Sequence, residues 1–154
     1  MSTDPKTDAS GAGGAGGTES MWEPGSELPT LAVTPDRYVT VRYAGASGDF
    51  NPIHVDDEFA QQVGLPGKIL HGLWTMAQVA RAQTEAVGGT QAPAALKRLS
   101  VEFRGMAVPE QEISVATKIK SVAGGIATVS TQAKQGSTRV VRNGVAEIVV
   151  PPTA

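Results

Sequence analysis

Leu99, Val101 and Phe103 alternate with Arg98, Ser100, Glu102 and Arg104, the two-residue period of a strand with one face in a core and the other in water. Ile113, Val115, Thr117 and Ile119 repeat it. Gly124-Gly125 punctuates the chain before IATVSTQAK, and Gly136-Ser137 before TRVVRNGVAEIVV, which predicts three successive antiparallel strands joined by tight turns. Asn143-Gly144 lies too close to Pro151 to leave room for a further strand. A bulge within one long strand is the better reading than another hairpin.

Upstream the period changes. From Leu73, the apolar Met76, Ala77, Ala80 and Val87 recur at helical spacing with Gln78, Arg81 and Glu85 opposite, until Gly88-Gly89 stops the run, which predicts a long helix over Leu73 to Val87. Its alanines let a sheet approach closely. Earlier, Leu28, Leu31 and Val33 in ELPTLAVT predict a first strand within Glu27 to Thr34. Thr34-Pro35-Asp36 reads as a helix opening, with a hydroxyl at the cap, proline at the first position and an acid in the first turn. The short helix would be Arg37 to Ala46, although the β-branched Val39, Thr40 and Val41 favour a strand there, and both readings stay open. Residues 1–21 contain GAGGAGG among Ser, Thr and Asp; with almost nothing apolar to bury, they are expected to be a disordered tail. A strand, small helices, one long helix and an antiparallel meander add up to an α+β layer, one domain over residues 22–154.

At 154 residues there is room for one core. A net charge of −2 and no Lys/Arg run remove the electrostatic footprint of a nucleic-acid binder. The absence of cysteine excludes a disulfide framework, a thiolate metal site and a cysteine nucleophile. The N-terminus lacks the basic start and apolar stretch of a signal peptide, and no run approaches a membrane span, so a soluble cytoplasmic protein is expected.

One stretch stands apart. SGDFNPIHVDDEF, Ser47 to Phe59, holds one of only two histidines in the chain. Gly48-Asp49 and Asn51-Pro52 are turn formers, and Asp56, Asp57 and Glu58 suit a helix start. A turn with a capping histidine would explain the composition. A sharper reading is that Asp49 and His54, five residues apart across a proline-stiffened turn, aim into one pocket while Asn51 bonds the turn backbone. A carboxylate and an imidazole so held can manage a water between them. Downstream, His71-Gly72-Leu73 opens the long helix, where unpaired N–H groups favour a developing oxyanion. Gly72 has no side chain to obstruct that approach. A metal site built on Asp49, His54 and Asp56 is hard to close with two histidines and no cysteine.

Together these residues, YAGASGDFNPIHVDDEFAQQVGLPGKILHG, resemble the signature of the MaoC-like, hydratase-2 type dehydratases of the hot-dog fold. The likeness is greatest to single-domain (3R)-hydroxyacyl-ACP dehydratase subunits and (R)-specific enoyl-CoA hydratases. It covers Tyr43 to Met76 and agrees in element order through Val150. The resemblance implies a long central helix wrapped by an antiparallel sheet of five or six strands, dimers, no metal and no cofactor. It places the catalytic pair on Asp49 and His54, the turn-fixing amide on Asn51 and the oxyanion N–H on Gly72. The implied substrate is an enoyl or 3-hydroxyacyl thioester of CoA or acyl-carrier protein in fatty-acyl metabolism. A non-catalytic acyl-binding subunit of a heterodimer is the alternative. His71 is expected to be a structural hydrogen-bonder, and Tyr43 and Trp74 packing residues or walls of an acyl tunnel. Related hydratases carry a small polar residue on the long helix, where Ala80 is expected to stand as a departure.

Overall fold

The computed structural model describes residues 21–92 and 95–151. The expected tail lies outside this range except for Met21. The elements are β1 (Leu31–Val33), α1 (Val39–Ser47), α2 (Pro52–Val55), α3 (Asp57–Gln62), α4 (Gly72–Glu85), β2 (Leu96–Phe103), β3 (Ile113–Ala123), β4 (Ile126–Gln135) and β5 (Thr138–Val149), with a 3-10 turn at Gly89–Gln91. The five strands form one antiparallel sheet in the order β1-β3-β4-β5-β2, and α4 packs against it. This is the expected hot-dog arrangement with five strands.

The meander follows the alternation closely. Ile113, Val115, Thr117 and Ile119 are all buried on β3, as are Ala127, Val129, Thr131 and Ala133 on β4. At full burial each valine or isoleucine contributes about 1.5–3 kcal/mol. Asn143-Gly144 does mark a bulge: the register between β4 and β5 passes from Thr131↔Gly144 to Ala133↔Val141, and Asn143 sits at φ 49°. Gly144 is required by proximity, because a Cβ there would lie 2.6 Å from the Thr131 carbonyl oxygen.

The helices depart from expectation in instructive ways. The first is helical despite its β-branched residues, but it begins at Val39, not Arg37. Thr34 and Pro35 precede it, and Asp36 instead accepts the Tyr38 N–H at 2.8 Å. The first strand shrinks to three residues plus a single bridge from Glu27 to Lys118. On α4 the buried positions are Thr75, Val79, Ala82 and Gln83, whereas Ala77 is exposed and Met76 and Ala80 are only half-buried.

Gln83 is fully buried. Its amide Nε2 donates to Thr117 Oγ1 at 2.9 Å, to Thr131 Oγ1 at 3.3 Å and to the Val79 carbonyl at 3.2 Å; the Thr117 hydroxyl donates to Thr131 at 3.1 Å. This polar layer crosses the interior between two apolar clusters. One, around Leu70, Val79, Val115 and Val141, lies toward the start of α4; the other, around Leu28, Ile119, Val129 and Ile148, lies toward its end.

Candidate active site

The site is built where three short elements meet the N-terminus of α4. Helix α1 ends at Gly48, which adopts the left-handed conformation (φ 77°) and donates its N–H to the Ala44 carbonyl at 2.8 Å, a helix stop that suits glycine. The chain then turns out through Asp49. Asp49 Oδ1 accepts the Asn51 N–H at 3.2 Å, and Asn51 Oδ1 accepts the Ile53 N–H at 3.3 Å. Asn51 is therefore the N-cap of α2 with Pro52 at its first position, a favoured pairing. One turn of helix carries His54 inward.

His54 is 8% exposed. Its Nδ1 lies 2.8 Å from the Ile69 carbonyl. A carbonyl only accepts, so Nδ1 carries the hydrogen and the lone pair of neutral His54 is on Nε2. That nitrogen faces Asp49 Oδ2 across 4.0 Å. Two acceptors at this separation make no direct hydrogen bond, and the gap suits a shared water that donates to both. The Asp49 side chain is 53% exposed, so the gap opens to solvent.

His71 completes the cluster. It is 2% exposed and stacks on His54, ring centroids 3.9 Å apart and planes 26° apart. Tyr43 lies on it at 4.7 Å. His71 Nε2 donates to the Asp49 main-chain carbonyl at 3.0 Å, while its Nδ1 is buried without a partner. The expectation of a structural hydrogen-bonder agrees with this geometry. Tyr43 packs on His71, and Trp74 packs against the apolar cluster near the site.

His71 is also the N-cap of α4. The first intrahelical bond runs from the Thr75 N–H to its carbonyl, so the N–H of Gly72 precedes the ladder and has no acceptor among the described residues. Gly72 faces the Phe103 ring; a Cβ there would sit 3.5 Å away, at ordinary contact distance. Phe50, Leu73, Phe103 and Met106 are large, apolar and about half exposed or more, and three of them adjoin Asp49 or Gly72.

Three donors capable of holding a cation, Asp49, His54 and His71, gather within 4.8 Å. Asp56 is not among them, because its carboxylate accepts the Phe59 N–H at 3.1 Å as the N-cap of α3. The set fits a metal poorly. His71 Nε2 is committed to a carbonyl, which leaves two free donors, fewer than the three protein ligands of catalytic zinc sites. Ala80 lies two turns beyond Gly72, about 12 Å along the helix at ~1.5 Å per residue. The small hydroxyl nearest the site on α4 is Thr75, buried one turn past His71. Sequence reading passed over it because its polarity put it off the apolar stripe.

Leading into the site, the turn at Gly67 and Lys68 is tied to α3. Asp57 accepts the Lys68 N–H at 2.9 Å and faces its ammonium at 3.4 Å. The Lys68 N–H, chiefly, and then its charge, hold the Asp57 carboxyl below the usual carboxylate range.

A helix clasped by one antiparallel sheet, with an aspartate and a histidine beside the helix N-terminus, defines a hot-dog domain of the dehydratase type. The chain belongs to the MaoC-like domain family, whose model matches residues 23–141. Among similar proteins, the fatty acid synthase subunit beta of Aspergillus oryzae is 35% identical over 107 residues, 69% of this chain and 5% of that protein. The chain therefore spans a small part of that relative's length. A solved MaoC-like dehydratase superposes with a TM-score of 0.77 at 30% identity over 84% of this chain and 41% of the other. The R-hydratase PhaJ1 of Pseudomonas aeruginosa shares the fold, with a TM-score of 0.75 at 21% identity over 85% of this chain and 83% of that one. Among the described residues no helix is long and apolar enough to cross a membrane.

Proposed function

We propose that the domain catalyses the reversible hydration of a trans-2-enoyl thioester to the (R)-3-hydroxyacyl thioester. The observation that carries this reading is the 4.0 Å gap between two acceptors, His54 Nε2 and Asp49 Oδ2, beside an unengaged N–H at Gly72. A water in the gap loses a proton to one member of the pair as its oxygen bonds to the β carbon. The α carbon takes up that same proton, returned by the member that received it or passed across the gap through the other, so that both groups end as they began. The Gly72 N–H donates to the thioester oxygen, where negative charge accumulates in between, and one such donor is worth ~10²–10³ in rate. No step calls for a metal or a redox cofactor. The exposed Phe50, Leu73 and Phe103 supply apolar surface for an acyl chain. The names of the relatives, a fatty acid synthase subunit and an R-hydratase, agree with thioester chemistry on CoA or a carrier protein.

Assembly belongs to the same proposal. Among the described residues strand β2 pairs with β5 alone and ends the sheet, and an open edge beside exposed apolar side chains favours pairing with another hot-dog subunit. A homodimer is the simplest form. The alternative, a non-catalytic acyl-binding subunit of a heterodimer, is disfavoured by the presence of both Asp49 and His54 at the gap.

The purified chain, offered crotonyl-CoA and a long-chain enoyl-CoA, is expected to consume the enoyl absorbance, and to do so equally with and without a chelator. No turnover of either thioester, or turnover abolished by the chelator, overturns the reading. Light scattering is expected to give about twice 15.9 kDa; a fully active monomer refutes the assembly.

A further inference from the structure

Asp49 and His54 are not positioned by each other, since nothing closer than 4.0 Å joins their side chains. Each is tied instead to the short buried segment of residues 69–71. His54 bonds the Ile69 carbonyl, and the Ile69 N–H returns to the Ile53 carbonyl at 3.0 Å. For Asp49 the tie is a single bond, from His71 Nε2 to its main-chain carbonyl. Among the described residues, the other hydrogen bonds of residues 47–51 join positions no more than four apart. They shape the turn and join it to the His54 backbone, through the His54 N–H on the Asn51 carbonyl at 2.9 Å, but none of them anchors it to the buried segment that holds the His54 ring.

A purely space-filling role does not account for His71. Its Nδ1 is buried with no partner, a cost that an apolar side chain of similar size would remove. What such a side chain lacks is the Nε2–H. The ring also stacks on His54, and its own backbone precedes the Gly72 N–H. One residue thus touches every part of the proposed machinery: its Nε2 lies 4.0 Å from Asp49 Oδ2 as well, with its hydrogen spent on the Asp49 main-chain carbonyl.

From this geometry we infer that His71 is a positioning residue whose Nε2–H sets the Asp49 to His54 separation and registers both against the Gly72 N–H. The inference rests on the hydration reading for its kinetic consequence, because a displacement of ~1 Å in a reacting group costs on the order of 10²-fold.

The test compares His71→Leu, which fills the space without a donor, with His71→Gln, whose amide nitrogen replaces Nε2, and His71→Asn, whose amide nitrogen stands nearer the Nδ1 position. The leucine variant is expected to melt no lower than the parent, to keep KM within about threefold and to lose about 10²-fold in kcat. Glutamine is expected to recover most of kcat and asparagine little of it. A kcat for leucine within about threefold of the parent, or equal losses in glutamine and asparagine, overturns the inference. Should leucine fail to fold, the glutamine and asparagine comparison decides. A parent that turns over no enoyl thioester defeats the hydration reading and not this one; imidazole ¹⁵N spectra then decide, with His71 expected as the Nε2–H tautomer, His54 as the Nδ1–H tautomer, and the reverse for His71 overturning the assignment.

Discussion

Residues 47–56 and residues 69–72 meet at the site and are built in opposite ways. The first stretch is largely exposed, bonded mostly to itself, and carries the groups that can exchange protons. The second buries Ile69, Leu70 and His71 to below a tenth of their surface and offers main-chain atoms and one imidazole. In the proposed reaction, chemistry sits on the loose segment and alignment on the tight one. The proposed catalytic pair, read from its own motif, is therefore only half described, since the partners that hold His54 and the Asp49 main chain lie 15 and 22 positions away.

That contrast can be broken first at the exposed stretch. Asp49→Asn and His54→Ala are each expected to lower turnover by ~10²–10⁴; the exposed Asp49 should leave the melting temperature nearly unchanged, whereas His54→Ala should fold but melt lower, because it also removes the bond to the Ile69 carbonyl and the stack on His71. The double variant should be little worse than the poorer single one. Near-parental turnover in either folded variant would move the chemistry elsewhere.

The tight segment is broken most cleanly at Gly72, the first residue of α4. Proline is accepted at a first helical position, where its missing N–H costs no intrahelical bond, and the preceding His71 already has the extended backbone that proline demands, at φ −62° and ψ 134°. Gly72→Pro is expected to keep the fold and lose ~10²–10³ in kcat by deleting the oxyanion donor. Gly72→Ala, whose Cβ meets Phe103 at contact distance, should stay within about tenfold, since it keeps the donor. Equal kinetics for the two variants would refute the carbonyl contact.

Smaller effects sharpen the comparison. Asn51→Ala removes the cap of α2 and is expected to cost about 1 kcal/mol in denaturant unfolding, with a larger proportional loss in kcat than in KM. Asp57 ties Lys68, which leads into the tight segment, to α3, and its carboxyl is held low in the folded state. Its contribution is present above the unfolded value of 3.8 and disappears as pH falls through the lower folded value. Asp57→Asn should flatten the acid limb of stability between those values, and an unchanged limb would show that the tie does not matter. Deleting residues 1–20, which lie outside the described residues, should leave melting temperature and turnover nearly unchanged.

The legible parts of this molecule were those where one residue type answers one local question. Alternation located β3, β4 and β5 because each strand has one wet and one dry face, and the Asn143-Gly144 bulge followed from turn chemistry and remaining length. The motif from Asp49 to Gly72 named the chemical groups. The buried side of α4 was misjudged because Thr75 and Gln83 look like surface residues, and the Gln83 amide finds its partners only when Thr117 and Thr131 arrive from the sheet. Helix α1 began late because Asp36, not Thr34, supplies the oxygen at its start. In both cases the deciding partner was chosen by geometry that no local window contains.

The polar layer of Gln83, Thr117 and Thr131 acts on structures the protein does not adopt. Alanine and valine along α4 would slide against the sheet with little penalty, since one small apolar contact resembles the next. A slip by one helical turn, ~5.4 Å, would carry the amide into purely aliphatic neighbours and take from the paired hydroxyls of Thr117 and Thr131 the donor they share, at about 1–3 kcal/mol for the stranded amide. Near-native misassemblies are thereby raised in energy even if the correct one is not lowered. The helix that presents Gly72 to the site is thus indexed, like a keyed shaft, from its far end.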